Sequence, residues 1–162
     1  LFNMDNHCVY TFEKINLLIK KGSDNVLKSN FKPDLILAIG GGGFIPARLL
    51  RNYIDIPIIT LTINFYDDNN NIKKEPNVIQ MIEPNLIQNK NVLIVDEVDD
   101  TRKTLDYLLN YFKNNNYNFK SLGIFVVNNK KKSKVSEIPE DIHYFSCTEN
   151  EDKWIVYPWD LI

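Results

Sequence analysis

The segment Val92-Leu93-Ile94-Val95-Asp96-Glu97-Val98-Asp99-Asp100-Thr101-Arg102-Lys103-Thr104 is the richest in chemistry of the whole chain. Four apolar residues read as a buried strand that delivers two adjacent carboxylates, Asp96 and Glu97, to its end. Such a pair can accept hydrogen bonds from a vicinal diol or hold a hydrated Mg²⁺. The turn that follows is rich in hydroxyls and opens a helix. Its first backbone amides, with the Thr101 and Thr104 hydroxyls, suit a phosphate dianion. Acids for a ribose and amides for its 5′-phosphate, a few residues apart, describe a ribose 5-phosphate site. The plain alternative is an acidic cap on a surface helix, with Asp99 and Asp100 doing no more than capping.

A second cluster, Gly40-Gly41-Gly42-Gly43, follows the apolar run Leu35 to Ile39. Alone it is a permissive turn that fits neither the dinucleotide fingerprint nor a Walker loop. It gains weight because it is expected at the same sheet edge as the acidic loop. His7 and His143 lie far apart without metal-ligand spacing and are expected to be structural. Cys8 and Cys147 are too few for a disulfide framework or a zinc cluster. No G-x-S-x-G elbow or Cys-His signature supplies a nucleophile. Lys130, Lys131, Lys132 and Lys134 read as a solvated run.

The elements that must position these loops follow from periodicity. Helices are predicted over Val9 to Asn30, Ile45 towards Tyr53 (Pro46 sits in a first turn) and Thr101 to Asn114. Strands are predicted at Leu35 to Ile39, Ile56 to Ile63, Val78 to Ile82, Val92 to Val95, Leu122 to Val127 and Ile142 to Cys147. Residues 64–76 are polar, Asn-rich and without period, so a mobile functional loop or local disorder is expected there. Fully apolar strands alternating with helices indicate an α/β fold with a parallel sheet covered on both faces. Ligands of such sheets sit beyond the carboxyl ends of the strands, where both loops fall.

The 162 residues, 44% hydrophobic and 25% charged, suit a single globular domain. A net charge of −2 lacks the basic face of a dedicated nucleic-acid binder. No apolar run approaches the ~20 residues of a membrane helix. No secretory leader pattern opens the chain, so a reduced, cytoplasmic setting is expected.

Residues 92–104 resemble the phosphoribosyl pyrophosphate (PRPP) signature of type I phosphoribosyltransferases. The match is four apolar residues, two acids, two further residues, then an Asp-Thr pair and a Thr. Arg102 and Lys103 stand where small residues, often Gly, are usual, a departure shared with one branch of 6-oxopurine enzymes. Asp34 to Arg51 looks like the family's pyrophosphate loop and following helix. Gly41 replaces a charged residue found in many members, so that contact would come from backbone amides. Residues 64–76 correspond to the family's flexible catalytic loop, and Asp152 to Asp160 is similar to the C-terminal hood of its xanthine–guanine and hypoxanthine enzymes.

The resemblance implies a parallel-sheet phosphoribosyltransferase domain spanning 1–162, with a small hood from about 148–162 and the N-terminal segment. It implies that Asp96, Glu97, Asp99, Thr101, Arg102, Lys103 and Thr104 bind the ribose and 5′-phosphate of PRPP. Gly40, Gly41 and Gly42 would bind pyrophosphate. Lys130 would read the purine 6-oxo group, Trp154 would stack on the base and Ile155 would offer its backbone, while Trp159 packs. Asp100 would be the catalytic residue at N7, and Asp96 and Glu97 would hold Mg²⁺ directly or through ribose and water. The implied reaction is purine salvage: a 6-oxopurine and PRPP give the nucleoside 5′-monophosphate and pyrophosphate. A homodimer or homotetramer is implied, with no nucleic-acid or membrane partner. The alternatives are a PRPP- or nucleotide-binding regulator of the same fold, and an adenine or pyrimidine enzyme, against which Trp154 and Lys130 argue.

Overall fold

The computed structural model describes residues 6–66 and 72–160. In chain order the elements are β1 (His7–Val9), α1 (Phe12–Lys28), β2 (Leu35–Gly40), α2 (Phe44–Leu50), β3 (Ile58–Tyr66), β4 (Ile72–Gln80), β5 (Asn91–Asp99), α3 (Lys103–Asn114), β6 (Ser121–Lys130), β7 (His143–Asn150) and β8 (Trp154–Val156). A single 3₁₀ turn at Pro84–Leu86 precedes β5.

β2 is buried along its whole length, as a strand without polar alternation must be. It lies inside a six-stranded sheet of order β4-β3-β2-β5-β6-β7. All pairings are parallel except β3 with β4. Alternate residues of the central strands feed two cores. Ile36, Ala38, Leu93, Val95, Phe125 and Val127 pack under α1 and α2, whereas Leu37, Ile39, Ile94, Ile124 and Val126 pack under α3. Each fully buried side chain of this size stabilises the fold by roughly 1.5–3 kcal/mol, so both faces are well anchored.

α1 begins where Thr11 accepts a hydrogen bond from the Lys14 amide at 3.2 Å, and it buries Ile15, Ile19, Gly22 and Val26 at helical spacing. That cap explains why the helix starts at Phe12, leaving His7–Val9 to form β1. β1 pairs in parallel with β8 in a separate two-stranded sheet, so N- and C-terminal segments together build the hood.

The stretch 64–76 departs from its expected character. Asn64 to Tyr66 end β3 and Ile72 to Pro76 belong to β4, antiparallel to β3 with shifts of register. An edge strand is held by backbone hydrogen bonds and leaves one side open to water, so it needs no apolar period and gives little signal in sequence. The rest of the expected loop, residues 67–71, lies outside the described residues. The sheet therefore carries one antiparallel edge strand.

Candidate active site

β2 and β5 are neighbours in the sheet, and their carboxyl ends bring the glycine run and the acidic pair together. The Gly40–Gly41 peptide is cis. A Cβ on Gly42 would overlap the Glu97 carboxylate, so the two loops are in direct contact. Asp96 accepts the Glu97 amide at 2.9 Å. Burial first, and then the charge of Glu97 beside it, push the Asp96 carboxyl well above the usual range. Glu97 Oε2 is buried without a hydrogen-bond partner among the described residues.

Two cavities meet at this pair. One, of about 350 Å³, is lined by Gly40, Gly41, Gly42, Thr62, Asp96 and Glu97. The other, of about 250 Å³, is lined by Asp96, Glu97 and the turn from Asp99 to Thr104. Thr104 borders both. A larger hollow of about 590 Å³ lies at the far end of α3, between Phe112, Tyr117 and Ile142, and includes none of these acids.

The turn is shaped by Arg102, whose φ of 69° and ψ of 8° put it in the left-handed region. This is why α3 starts at Lys103 and not at Thr101. No described side chain caps α3, and its first helical bond runs from the Asp106 amide to the Arg102 carbonyl at 2.9 Å. The earlier amides of the helix therefore lack helical partners, in a turn that lines the second cavity.

Not every expected phosphate ligand offers its side chain there. Asp99 is buried, and its Oδ2 accepts from Arg102 Nε at 3.0 Å, Arg102 Nη2 at 2.8 Å and the Tyr144 hydroxyl at 2.8 Å. The side chains of Asp99 and Arg102 thus hold each other, and what they can offer a ligand is backbone. Burial and the neighbouring Asp99 push the Tyr144 hydroxyl well above its ordinary value, so it stays a donor.

Two lysines of the segment from Lys130 onward join Asp100 of the acidic loop to Asp152 of the hood. Lys130 Nζ lies 3.3 Å from Asp100 Oδ1 and 3.7 Å from Asp152 Oδ1. Lys132 Nζ lies 3.2 Å from Asp100 and 2.9 Å from Asp152, so the hood is tied to Asp100 through two ammonium groups. The hydrogen bond from Lys132 holds the Asp152 carboxyl below its ordinary value. Trp154 presents 66% of its surface to solvent, whereas Ile155 beside it is buried. Trp159 stacks on Tyr157 at 4.8 Å, a packing role. His143 packs against Phe31 at 4.9 Å, also a structural role.

Sequence reasoning missed Lys132, Lys134 and Tyr157. The lysine run is not a uniformly solvated face: the side chains of Lys130, Lys132 and Lys134 are 10%, 26% and 12% exposed, against 54% for Lys131. The strand ends at Lys130 and the chain bends there, the Lys132 amide donating to the Lys130 carbonyl at 3.0 Å, so the half-buried lysines after it carry no strand period that the sequence could show. Tyr157 donates to Asn128 Oδ1 at 2.8 Å and approaches the Glu97 carbonyl at 3.0 Å, tying hood to acidic loop. No local pattern announces that contact.

Among the described residues no group of three or more His, Cys, Asp or Glu side chains converges on one point. A cation at Asp96 and Glu97 would take its remaining ligands from substrate or water. The orphaned Glu97 oxygen and the mutual repulsion of the pair fit such a cation. No helix among the described residues is long and apolar enough to cross a membrane.

Comparison with known proteins places this site in context. Residues 9–161 match the model of the phosphoribosyl transferase domain. The chain is 34% identical to the hypoxanthine-guanine phosphoribosyltransferase of Schizosaccharomyces pombe, covering 93% of this chain and 87% of that one. It is 32% identical to xanthine phosphoribosyltransferase 1 of Saccharomyces cerevisiae, covering 96% and 91%. A solved structure of a hypothetical protein from Neisseria gonorrhoeae with bound ppGpp superposes with a TM-score of 0.87 at 39% identity, covering 97% of this chain and 90% of the other. Because that domain model matches nearly the whole of the 162 residues, the chain belongs to the phosphoribosyl transferase family.

Proposed function

We propose that this protein is a purine salvage enzyme that joins a 6-oxopurine (xanthine, hypoxanthine or guanine) to the phosphoribosyl group of PRPP, releasing pyrophosphate. The observation that carries the reading is the placement of Asp100. Its loop presents Asp96, Glu97 and the open end of α3 to one side, and its own carboxylate meets Lys130 and Lys132 on the other. The relatives named for hypoxanthine, guanine and xanthine support the substrate class. The ppGpp held by the Neisseria protein, itself a guanine ribonucleotide, is consistent with it.

In this reading Asp96 and Glu97 accept the ribose hydroxyls, and the amides from Thr101 to Leu105 with the Thr101 and Thr104 hydroxyls hold the 5′-phosphate. Backbone amides of Gly40, Gly41 and Gly42 orient the pyrophosphate. Lys130 donates to the 6-oxo group, Trp154 stacks on the base, and Ile155 lends its backbone to the base edge. Asp100 accepts a hydrogen bond from N7–H and takes that proton as N9 bonds to C1′ and the C1′–oxygen bond to the departing pyrophosphate breaks, which relieves the positive charge developing on the purine. Such a reaction needs positioning and exclusion of water more than a covalent nucleophile. Mg²⁺, held by Asp96 and Glu97 with the substrate, would supply charge neutralisation to the departing pyrophosphate.

The test is a panel of purine bases assayed with PRPP, with Mg²⁺ or with excess chelator. Formation of nucleoside 5′-monophosphate from at least one 6-oxopurine, lost on chelation and restored by Mg²⁺ or Mn²⁺, is expected. Turnover of adenine or a pyrimidine alone would overturn the substrate class, and full turnover in chelator would overturn the role given to the acidic pair.

A further inference from the structure

Arg102 carries a backbone conformation that its residue type disfavours. Among the described residues, non-glycine positive φ occurs at Asn89, Asn116 and Arg102, and asparagine enters the left-handed region far more readily than arginine. In place of a glycine the chain supplies an anchor. Besides the two donations to Asp99, Arg102 Nη1 donates to the Ser136 carbonyl at 3.0 Å, and its Cζ lies 5.7 Å from the centre of the Tyr144 ring. The segment after β6 closes over the turn. Lys134 Nζ donates to the Asp99 and Asp100 carbonyls at 2.6 and 2.7 Å, and the Val135 amide donates to the Thr101 carbonyl at 3.0 Å. The Arg102 side chain is 9% exposed and that of Asp99 0%.

We propose that Arg102 is a positioning residue for the phosphoribosyl donor. Its guanidinium, clamped by Asp99, Tyr144 and Ser136, holds residue 102 in the left-handed region and so keeps the amides at the start of α3 turned into the cavity beside Asp96 and Glu97. A left-handed residue at a turn directs successive N–H groups to one side and creates a concave anion seat. In a chain without glycine at 102 that seat depends on a side chain pointing away from it. The inference rests on the reading above that a ribose 5′-phosphate occupies this cavity.

The experiment titrates ribose 5-phosphate, and separately pyrophosphate with Mg²⁺, into wild type, Arg102→Ala, Arg102→Gly, Arg102→Lys and Tyr144→Phe, with steady-state KM for PRPP and purine alongside. Arg102→Ala should weaken ribose 5-phosphate about tenfold or more, and Tyr144→Phe about threefold, with pyrophosphate affinity and purine KM within about twofold of wild type. Arg102→Gly should lose less than Arg102→Ala, because glycine enters the left-handed region unaided. Arg102→Lys, which keeps the charge without the planar fork, should restore little. Should Arg102→Ala fail to fold, the glycine and Tyr144→Phe variants decide alone. Unchanged ribose 5-phosphate affinity in the folded Arg102 variants overturns the proposal. So does an equal loss in Ala and Gly variants with Tyr144→Phe unaffected, which would put the guanidinium on the phosphate itself. Failure of wild type to bind ribose 5-phosphate would instead overturn the underlying site reading.

Discussion

The carboxylate of Glu97 occupies the space in which a side chain on Gly42 would begin. The glycine loop and the acidic loop thus exclude each other's growth, although 55 positions separate the two numbers in the chain (97 − 42). The neighbouring glycine is constrained differently: a Cβ on Gly43 would run into the carbonyl oxygens of Val95 and Ile39, which are fixed in the sheet.

These two glycines should therefore fail in different ways. In Gly42→Ala the obstacle is the mobile end of a Glu side chain, so the fold should lose under about 1 kcal/mol while kcat/KM for PRPP falls a hundredfold or more. In Gly43→Ala the obstacle is backbone, and a loss of about 1–3 kcal/mol in unfolding free energy is expected. Denaturant melts and steady-state kinetics on the two variants check the contrast. Equal stability losses would show that Glu97 cannot move aside.

The layout of the sheet was largely legible because β2, β5 and β6 are continuous apolar runs ending in residues of unmistakable type. The acidic loop and the glycine run stand out by residue type at the ends of two such strands. What stayed hidden was long-range or hydrogen-bonded through backbone. Only the end of β4 was legible, as the strand expected at Val78 to Ile82; its start at Ile72 is polar, so no hydrophobic period marks it. The left-handed Arg102 depends on Ser136 and Tyr144, 34 and 42 positions on (136 − 102 and 144 − 102). Asp99 and Asp100 look alike in sequence, yet one side chain is 0% exposed and the other 44%. Only the direction in which each side chain leaves the chain separates a buried anchor from a half-exposed carboxylate.

The acidic pair should trade stability for function. Asp96 is held beside Glu97 in a buried setting that penalises its charge. Asp96→Asn keeps the shape and removes the repulsion, so Tm at pH 7 should rise by about 2–4 °C, corresponding to about 1 kcal/mol. Turnover should fall by two orders of magnitude or more, since an amide cannot serve as a charged partner for the ribose and its metal. Calorimetry and an activity assay on the same preparation decide the matter. A destabilised variant would mean that the Asp96 carboxylate is itself a net stabilising contact.

Cys147 should be chemically silent in the native protein. Burial pushes its thiol from an ordinary 9.0 up to about 12. The folded state therefore favours the neutral thiol, and this contribution to stability is present below pH 9 and lost as pH rises from 9 towards 12. Alkylation at pH 8 should modify Cys147 only on unfolding, with Cys8 as the half-buried internal comparison. Mass spectrometry of the native protein showing rapid modification at Cys147 would contradict its placement under α1.

Trp154 and Asp100 should separate binding of the base from chemistry. Trp154 is exposed on β8 next to the buried Ile155, free to cover a planar ring. Losing an aromatic stack costs about 1–3 kcal/mol, so Trp154→Ala should raise the purine KM about tenfold or more and leave PRPP affinity nearly unchanged. Asp100→Asn keeps the shape but weakens the response to positive charge developing on the purine. Its kcat should fall more than either KM changes. Lys130 and Lys132 both contact Asp100 Oδ1, at 3.3 and 3.2 Å, so Asp100→Asn also leaves two ammonium groups facing a neutral amide. If that repulsion matters, the variant should regain part of its purine affinity when Lys132 is replaced by Gln, with kcat still depressed. Should Trp154→Ala weaken PRPP instead, or Asp100→Asn alter purine affinity alone, the base does not lie between the hood and the acidic loop.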